Sequence, residues 1–211
     1  MLGQHVILAV DRAGLVGEDG ETHHGVFDVG FLRQAPGMQI LCPSSTAELK
    51  DMLRWAVKKH DGPVAVRYPR GGDRAYTDSA WTGLDNTLVS HRQGSDVTIV
   101  TYGTTLQNAM DAAELLEEKG VCATVLRLLN VARMPAQEIA AYANGPVIVI
   151  EETAANSGIH QALAYELPDH QVYGMDLGES YVPHGAVDQL YKHCGLDAQS
   201  IANFVQEVLS R

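Results

Sequence analysis

The sequence predicts an α/β fold organised on parallel strands. Short apolar runs recur, with HVILAV at 5–10, VTIVTY at 97–102 and VIVI at 147–150 the clearest. Segments with apolar residues at helical spacing separate them. The connections are long enough to be crossovers, and crossovers make neighbouring strands parallel. Two units follow: an incomplete parallel sheet over residues 1–75 and a small, complete α/β domain over 95–211. Residues 76–94, with weak periodicity, read as a linker.

The first strand is His5–Val10, expected to be buried. A glycine- and carboxylate-rich loop follows it, with Arg12, Asp19 and the pair His23–His24. A helix over about 24–34 and a strand over 39–42 come next. Ser45 and Glu48 have the spacing of a capping box. They open a helix over 46–60, with Leu49, Met52, Leu53, Ala56 and Val57 along one apolar stripe. Asp61-Gly62-Pro63 ends that helix, and strand 64–68 runs into RYPRGG. Three strands are few for a sheet, so further strands of the first unit are expected to be missing or to come from another chain. An apolar edge at strand 5–10 would then favour association.

Inside the linker, Thr87–Ser90 reads as one short edge strand. The second unit begins with strand 97–102. A helix follows Gly103-Thr104, with Leu106, Ala109, Met110 and Ala113 on one side, and Gly120 stops it. Strand 121–128, a helix from Met134-Pro135 to Asn144 and strand 147–150 follow. A helix at about 157–167, a strand at 172–175 and helices at 184–194 and 197–210 complete the unit. The last helix carries Ile201, Phe204, Val205 and Val208 at helical spacing.

The formal net charge of −11 argues against a nucleic-acid backbone or an anionic membrane as partner. No apolar run approaches the ~20 residues of a membrane span. Cys42, Cys122 and Cys194 lack disulfide or zinc spacing, which implies a reduced, cytoplasmic protein. Cys42 and Cys122 lie in strand-like runs and read as buried thiols. His60, His91, His160, His170 and His193 make no cluster with metal-ligand spacing, so no metal site is expected. The glycine-rich dinucleotide and P-loop patterns are absent.

Chemistry is expected where the loops gather. Parallel strands end on one edge of the sheet, and ligands bind there. The loop at 11–23, the turn Pro43-Ser44 and the segment Pro69–Gly72 should therefore share a rim. Arg12, Arg67 and Arg70 could form a basic pocket there for a phosphate or carboxylate, since a guanidinium fork matches such oxygens. Arg70 lies beyond the strand end and is the better ligand. Surface ion pairing is the competing role for these arginines. The histidines, with an ordinary pKa of about 6.5, suit general acid–base work, and Asp19 could orient one. Capping a helix or facing solvent is the plainer account of them. Glu151-Glu152 point to opposite sides of a strand and fit an interface or a helix cap better than a carboxylate pair. His184 fits a helix start.

The run DRAGLVGEDGETHHGVFD, followed by LR-x-x-PGM and then DGPVAVRYPRG, resembles the 1-deoxy-D-xylulose-5-phosphate synthases. These are transketolase-like, thiamine-diphosphate-dependent enzymes. The combination separates them from transketolases proper and from the β subunits of 2-oxo acid dehydrogenases. Residues 1–75 resemble the later part of the pyrimidine-binding domain, and 95–211 the transketolase C-terminal domain.

The resemblance implies condensation of pyruvate with glyceraldehyde 3-phosphate and release of CO2. The product feeds isoprenoid, thiamine and pyridoxal synthesis. The complete enzyme would be a homodimer using thiamine diphosphate and Mg2+. His23 would face the reacting centre as a proton donor or hydrogen-bond partner, with Asp19 beside it. Arg12 and Arg70 would hold the substrate phosphate. The family's GDG motif, which grips the diphosphate through the metal, is absent, and so is the glutamate that activates the aminopyrimidine. The chain is therefore expected to be inactive alone and to need a missing N-terminal half, from the same gene or a separate chain. One half of a naturally split enzyme and a non-catalytic module binding a phosphorylated ligand or a protein partner are the alternatives.

Overall fold

The computed structural model describes residues 4–211, so the first three residues of the unit read over 1–75 lie outside it. Strands β1 (Ile7–Val10), β2 (Gln39–Leu41) and β3 (Val64–Arg67) form a parallel sheet in the order β1-β3-β2. β3 is central and wholly buried. β1 pairs with β3 alone among the described strands, and its Leu8 and Ala9 are exposed. The run expected to be buried is thus an edge strand. Its apolar composition suits a two-sided environment of which one side is open.

The helix expected over 24–34 shortens to α1 (Asp28–Leu32). The backbone before it is committed elsewhere: the Gly25 carbonyl accepts from the Gly14 amide at 2.8 Å, and the Val26 carbonyl from the Ala154 amide at 2.9 Å. Carbonyls turned toward partners across a loop do not accept the i+4 amides that a first helical turn requires. In α2 (Thr46–Lys59), the Ser45 hydroxyl accepts from the Glu48 amide at 3.1 Å, the expected cap. Glu48 does not complete the box. Its carboxylate takes the Ser44 amide at 2.9 Å and turns inward to Arg127. Met52 and Ala56 are fully buried, but Val57 is 61% exposed, so the buried stripe ends one position short.

The second sheet has the order β4-β6-β5-β7-β8. Its strands are β4 (Leu88–Arg92), β5 (Val97–Tyr102), β6 (Ala123–Leu128), β7 (Val147–Ile150) and β8 (Val172–Met175). β4 pairs antiparallel with β6 through a bulge between Ser90 and Arg92, and the other pairings are parallel. Cys122 precedes β6 and is exposed, unlike the buried Cys42. Helices α3 (Leu106–Glu117), α6 (Val187–Cys194) and α7 (Ala198–Leu209) cover one face, where Leu116, Ile201 and Val205 are completely buried. Helices α4 (Ala136–Tyr142) and α5 (His160–Glu166) contribute Ile139 and Leu163 to the other face. Val29, Ile40 and Ala65 of the first unit join that same core.

The two sheets also meet through backbone. The Cys42 amide donates to the Leu129 carbonyl at 3.0 Å, and the Val131 amide to the Ile40 carbonyl at 2.9 Å. The free edge of β2 is thereby closed by the segment that follows β6. Beside this seam Arg127 and Glu48, both essentially inaccessible to solvent, make a bidentate pair at 2.6 and 3.0 Å.

Candidate functional site

The ladder of β1 and β3 continues past the strand ends and sets the rim. The Tyr68 amide donates to the Val10 carbonyl, and the Ala13 amide to the Tyr68 carbonyl, each at 3.0 Å. The segments carrying Arg12 and Arg70 therefore leave the sheet side by side. Asp19 sits in a short 3-10 turn, Gly17–Asp19, between them. Its carboxylate contacts the Arg70 guanidinium and lies 3.5 Å from Arg12 Nε. Arg12 also bonds Asp11 at 2.9 Å. The Arg70 hydrogen bond, aided by the charge of both arginines, holds the Asp19 carboxyl below the usual range.

Arg12 adopts a left-handed backbone with φ of 57°, which is uncommon and strained for a non-glycine residue. Its carbonyl is held by the Gly25 amide. Both arginine side chains remain about half exposed, so an anion arriving from solvent can reach them. Two guanidinium groups thus converge on one carboxylate, Asp19, at the strand ends.

His23 follows four residues after Asp19 and is exposed, its Nδ1 3.0 Å from the Thr22 hydroxyl. His24 has a different place. It is buried, its Nδ1 accepts from the Val16 amide at 3.1 Å, and its Nε2 lies 3.3 Å from the Pro183 carbonyl. That pattern requires a neutral ring with the proton on Nε2, so His24 braces the loop.

Arg67 does not join the basic pocket. It is buried, bonded through Nε to Asp28 at 2.8 Å and through Nη2 to the Gly25 carbonyl at 2.8 Å. Burial opposes its charge, and the Asp28 carboxylate more than restores it. Arg67 supports from beneath the loop that Arg12 and His23 occupy.

Glu151 and Glu152 face apart. Glu151 accepts from the Ile159 amide at 2.8 Å, the His160 amide at 3.2 Å and the Tyr102 hydroxyl at 2.9 Å, capping the start of α5. Glu152 crosses to the site loop, accepting from the Leu15 amide at 3.1 Å. His184 lies just before α6, close to Gly20. A cavity of about 300 Å³ opens beside the loop, lined among others by Glu21, His24, Phe27, Asn156 and Tyr181. Sequence reasoning identified neither the cavity nor the Glu152 contact, because both depend on residues far apart in the chain.

Among the described residues no three His, Cys, Asp or Glu side chains converge as metal ligands. No described helix is long and apolar enough to cross a membrane.

A parallel rim with paired arginines, followed by a doubly wound domain, defines the class. Residues 2–73 match the model of the transketolase pyrimidine-binding domain, and residues 86–201 that of the transketolase C-terminal domain. The chain belongs to the transketolase family. Its relatives include the 1-deoxy-D-xylulose-5-phosphate synthases of Chlorobium luteolum and Heliobacterium modesticaldum. They are 36% and 37% identical over 96% of this chain, which covers 33% and 32% of their lengths. The chain thus spans about a third of the curated relatives it matches.

Solved structures give the same fold. One described as a split gene transketolase, inactive beta4 tetramer, has a TM-score of 0.85 at 24% identity, covering 97% of this chain and 67% of its own. The transketolase of Campylobacter jejuni has a TM-score of 0.76 at 18% identity, covering 95% and 31%.

Proposed function

We propose that this chain is the C-terminal portion of a thiamine-diphosphate-dependent 1-deoxy-D-xylulose-5-phosphate synthase. In this reading it contributes the site for the phosphate of glyceraldehyde 3-phosphate. The observation that carries the reading is the convergence of Arg12 and Arg70 on Asp19 at the strand ends. Residues 1–75 serve as the later part of the pyrimidine-binding domain, 76–94 as the linker and 95–211 as the C-terminal domain.

The chain's own residues do the following. Arg12 and Arg70 bind the phosphate through charge-assisted hydrogen bonds. Asp19 holds both guanidinium groups in place and yields them when the more highly charged phosphate arrives. His23, exposed at the same rim, gives or holds a proton at the aldehyde oxygen as it becomes a hydroxyl. Thiamine diphosphate, when bound, supplies the carbon nucleophile that takes up pyruvate and releases CO2. The donor set for Mg2+ and the diphosphate does not come from these residues. It belongs to the remainder of the enzyme, whether in the same polypeptide or in a second chain, and the chain alone is inactive.

The test is to supply the remainder, in one polypeptide or as a second chain, and measure pyruvate consumption with glyceraldehyde 3-phosphate. Turnover only with both pieces is expected. Turnover by the 211 residues alone, or none after reconstitution, rejects the reading.

A further inference from the structure

The loop from Arg12 to Val26 is tied to the second unit as well as to the first sheet. The Ala154 amide donates to the Val26 carbonyl at 2.9 Å, and the Gly185 amide to the Gly17 carbonyl at 3.4 Å. Among the described residues, the carboxylate that hydrogen-bonds the loop from that unit is Glu152, at 5% exposure. One of its oxygens accepts both the Leu15 amide at 3.1 Å and the Tyr191 hydroxyl of α6 at 3.0 Å. Its backbone carbonyl lies 3.4 Å from Arg67 Nη2.

The contact is close. A β-carbon on Gly14 would lie 2.6 Å from the Glu152 carboxylate, and Gly14 has a φ of +73°. Gly14 in turn donates to the Gly25 carbonyl at 2.8 Å, and Gly25 holds the carbonyl of Arg12. A short chain of contacts therefore runs from Glu152 through Gly14 and Gly25 to the strained Arg12.

We propose that Glu152 is a positioning residue, through which the C-terminal domain sets the geometry of the Arg12–Asp19–Arg70 anion site. The proposal rests on the reading of that cluster as a phosphate site. It assigns the C-terminal domain a direct part in substrate recognition, although none of its residues need touch the substrate. Burial raises the Glu152 pKa, so keeping a carboxyl here works against stability. Shape alone would be served by an apolar side chain. A carboxyl is suited to accepting two hydrogen bonds from two different elements.

The experiment compares the full 211-residue chain with Glu152→Ala, Glu152→Gln and Tyr191→Phe by amide hydrogen exchange. Titration with inorganic phosphate runs in parallel. In Glu152→Ala the Leu15 and Gly25 amides should exchange about tenfold faster, the worth of one lost buried bond. The Ile99 and Val125 amides of the core should stay as protected as before. Phosphate binding should weaken by about tenfold. Glu152→Gln, whose carbonyl oxygen accepts the same bonds, should keep loop protection and binding. Should Glu152→Ala not fold, Tyr191→Phe reads the same amides, with about threefold faster exchange expected for a loosened carboxylate.

Unchanged loop exchange, or loop and core accelerating together, overturns the proposal. Absence of phosphate binding by the wild-type chain overturns the phosphate reading instead, and the exchange data still decide the role of Glu152.

Discussion

Gly25 lies against the Arg12 carbonyl so closely that a β-carbon on Gly25 would stand 2.2 Å from that oxygen. The two residues bracket the site loop, and their contact keeps Arg12 in its left-handed conformation. Gly25→Ala should therefore cost about 1–3 kcal/mol of stability through overpacking and should disperse the anion site. Denaturant unfolding and phosphate titration check both effects. A variant with unchanged stability and binding would show that the loop relaxes without cost.

Arg70→Ala acts on substrate recognition. In the reconstituted enzyme it should raise the KM for the phosphorylated aldehyde by roughly ten- to a hundredfold, the ~1.5–3 kcal/mol of a bond to a charged group. The KM for pyruvate should hardly move. Equal effects on both substrates would place Arg70 outside phosphate recognition.

The Glu48–Arg127 pair gives a prediction about stability. Arg127→Met leaves the Glu48 carboxylate buried without its cation, at a cost of about 3–5 kcal/mol. That is a large part of the ordinary ~5–15 kcal/mol of a domain. Replacing both residues, as Glu48→Leu with Arg127→Met, should recover much of the loss, because no charge is then stranded. Urea unfolding of the two single variants and the double variant measures the coupling. Additive losses would mean that the pair is not a unit.

His91 accepts from Arg127 Nε at 3.2 Å. Burial, reinforced by the Arg127 charge, pushes its pKa down to about 4. The unfolded chain then binds a proton between about pH 6.5 and 4 that the folded chain refuses. The neutral ring's stabilising effect is complete above about pH 6.5 and is lost as pH falls toward 4. The ring is only partly buried, so about 1–2 kcal/mol is expected after solvent screening. His91→Gln should remove that slope. Stability curves of wild type and variant that stay parallel from pH 7 to 4 would exclude it.

The rim is legible in the sequence because crossovers force strand ends to one edge, which brings Arg12 and Arg70 together. Asp19 reads by its spacing as the partner of a histidine, whereas its carboxylate in the fold meets Arg12 and Arg70. Local rules failed where long-range bonds compete. Residues 24–27 have a helical pattern, but the carbonyls of Gly25 and Val26 are taken by the Gly14 and Ala154 amides. Glu48 has capping spacing, but its carboxylate is drawn to Arg127. Cys122 sits among apolar residues yet precedes its strand and faces solvent. Arg67 reads as a third member of the basic pocket, though it lies within its strand. Only the position of Asp28 across the sheet reveals that it is internal.

The backbone bonds from Cys42 and Val131 across the two sheets bear on how such proteins can be taken apart and recombined. Severing the chain in the segment between β3 and β4 should not release two pieces. The fragments share a hydrogen-bonded seam and a common core, so they should migrate together until a denaturant is added. The same seam makes the halves poor interchangeable modules. A chimera that joins this first unit to the C-terminal domain of a distant relative would have to match the 129–131 segment and the Arg127 partner as well as the linker.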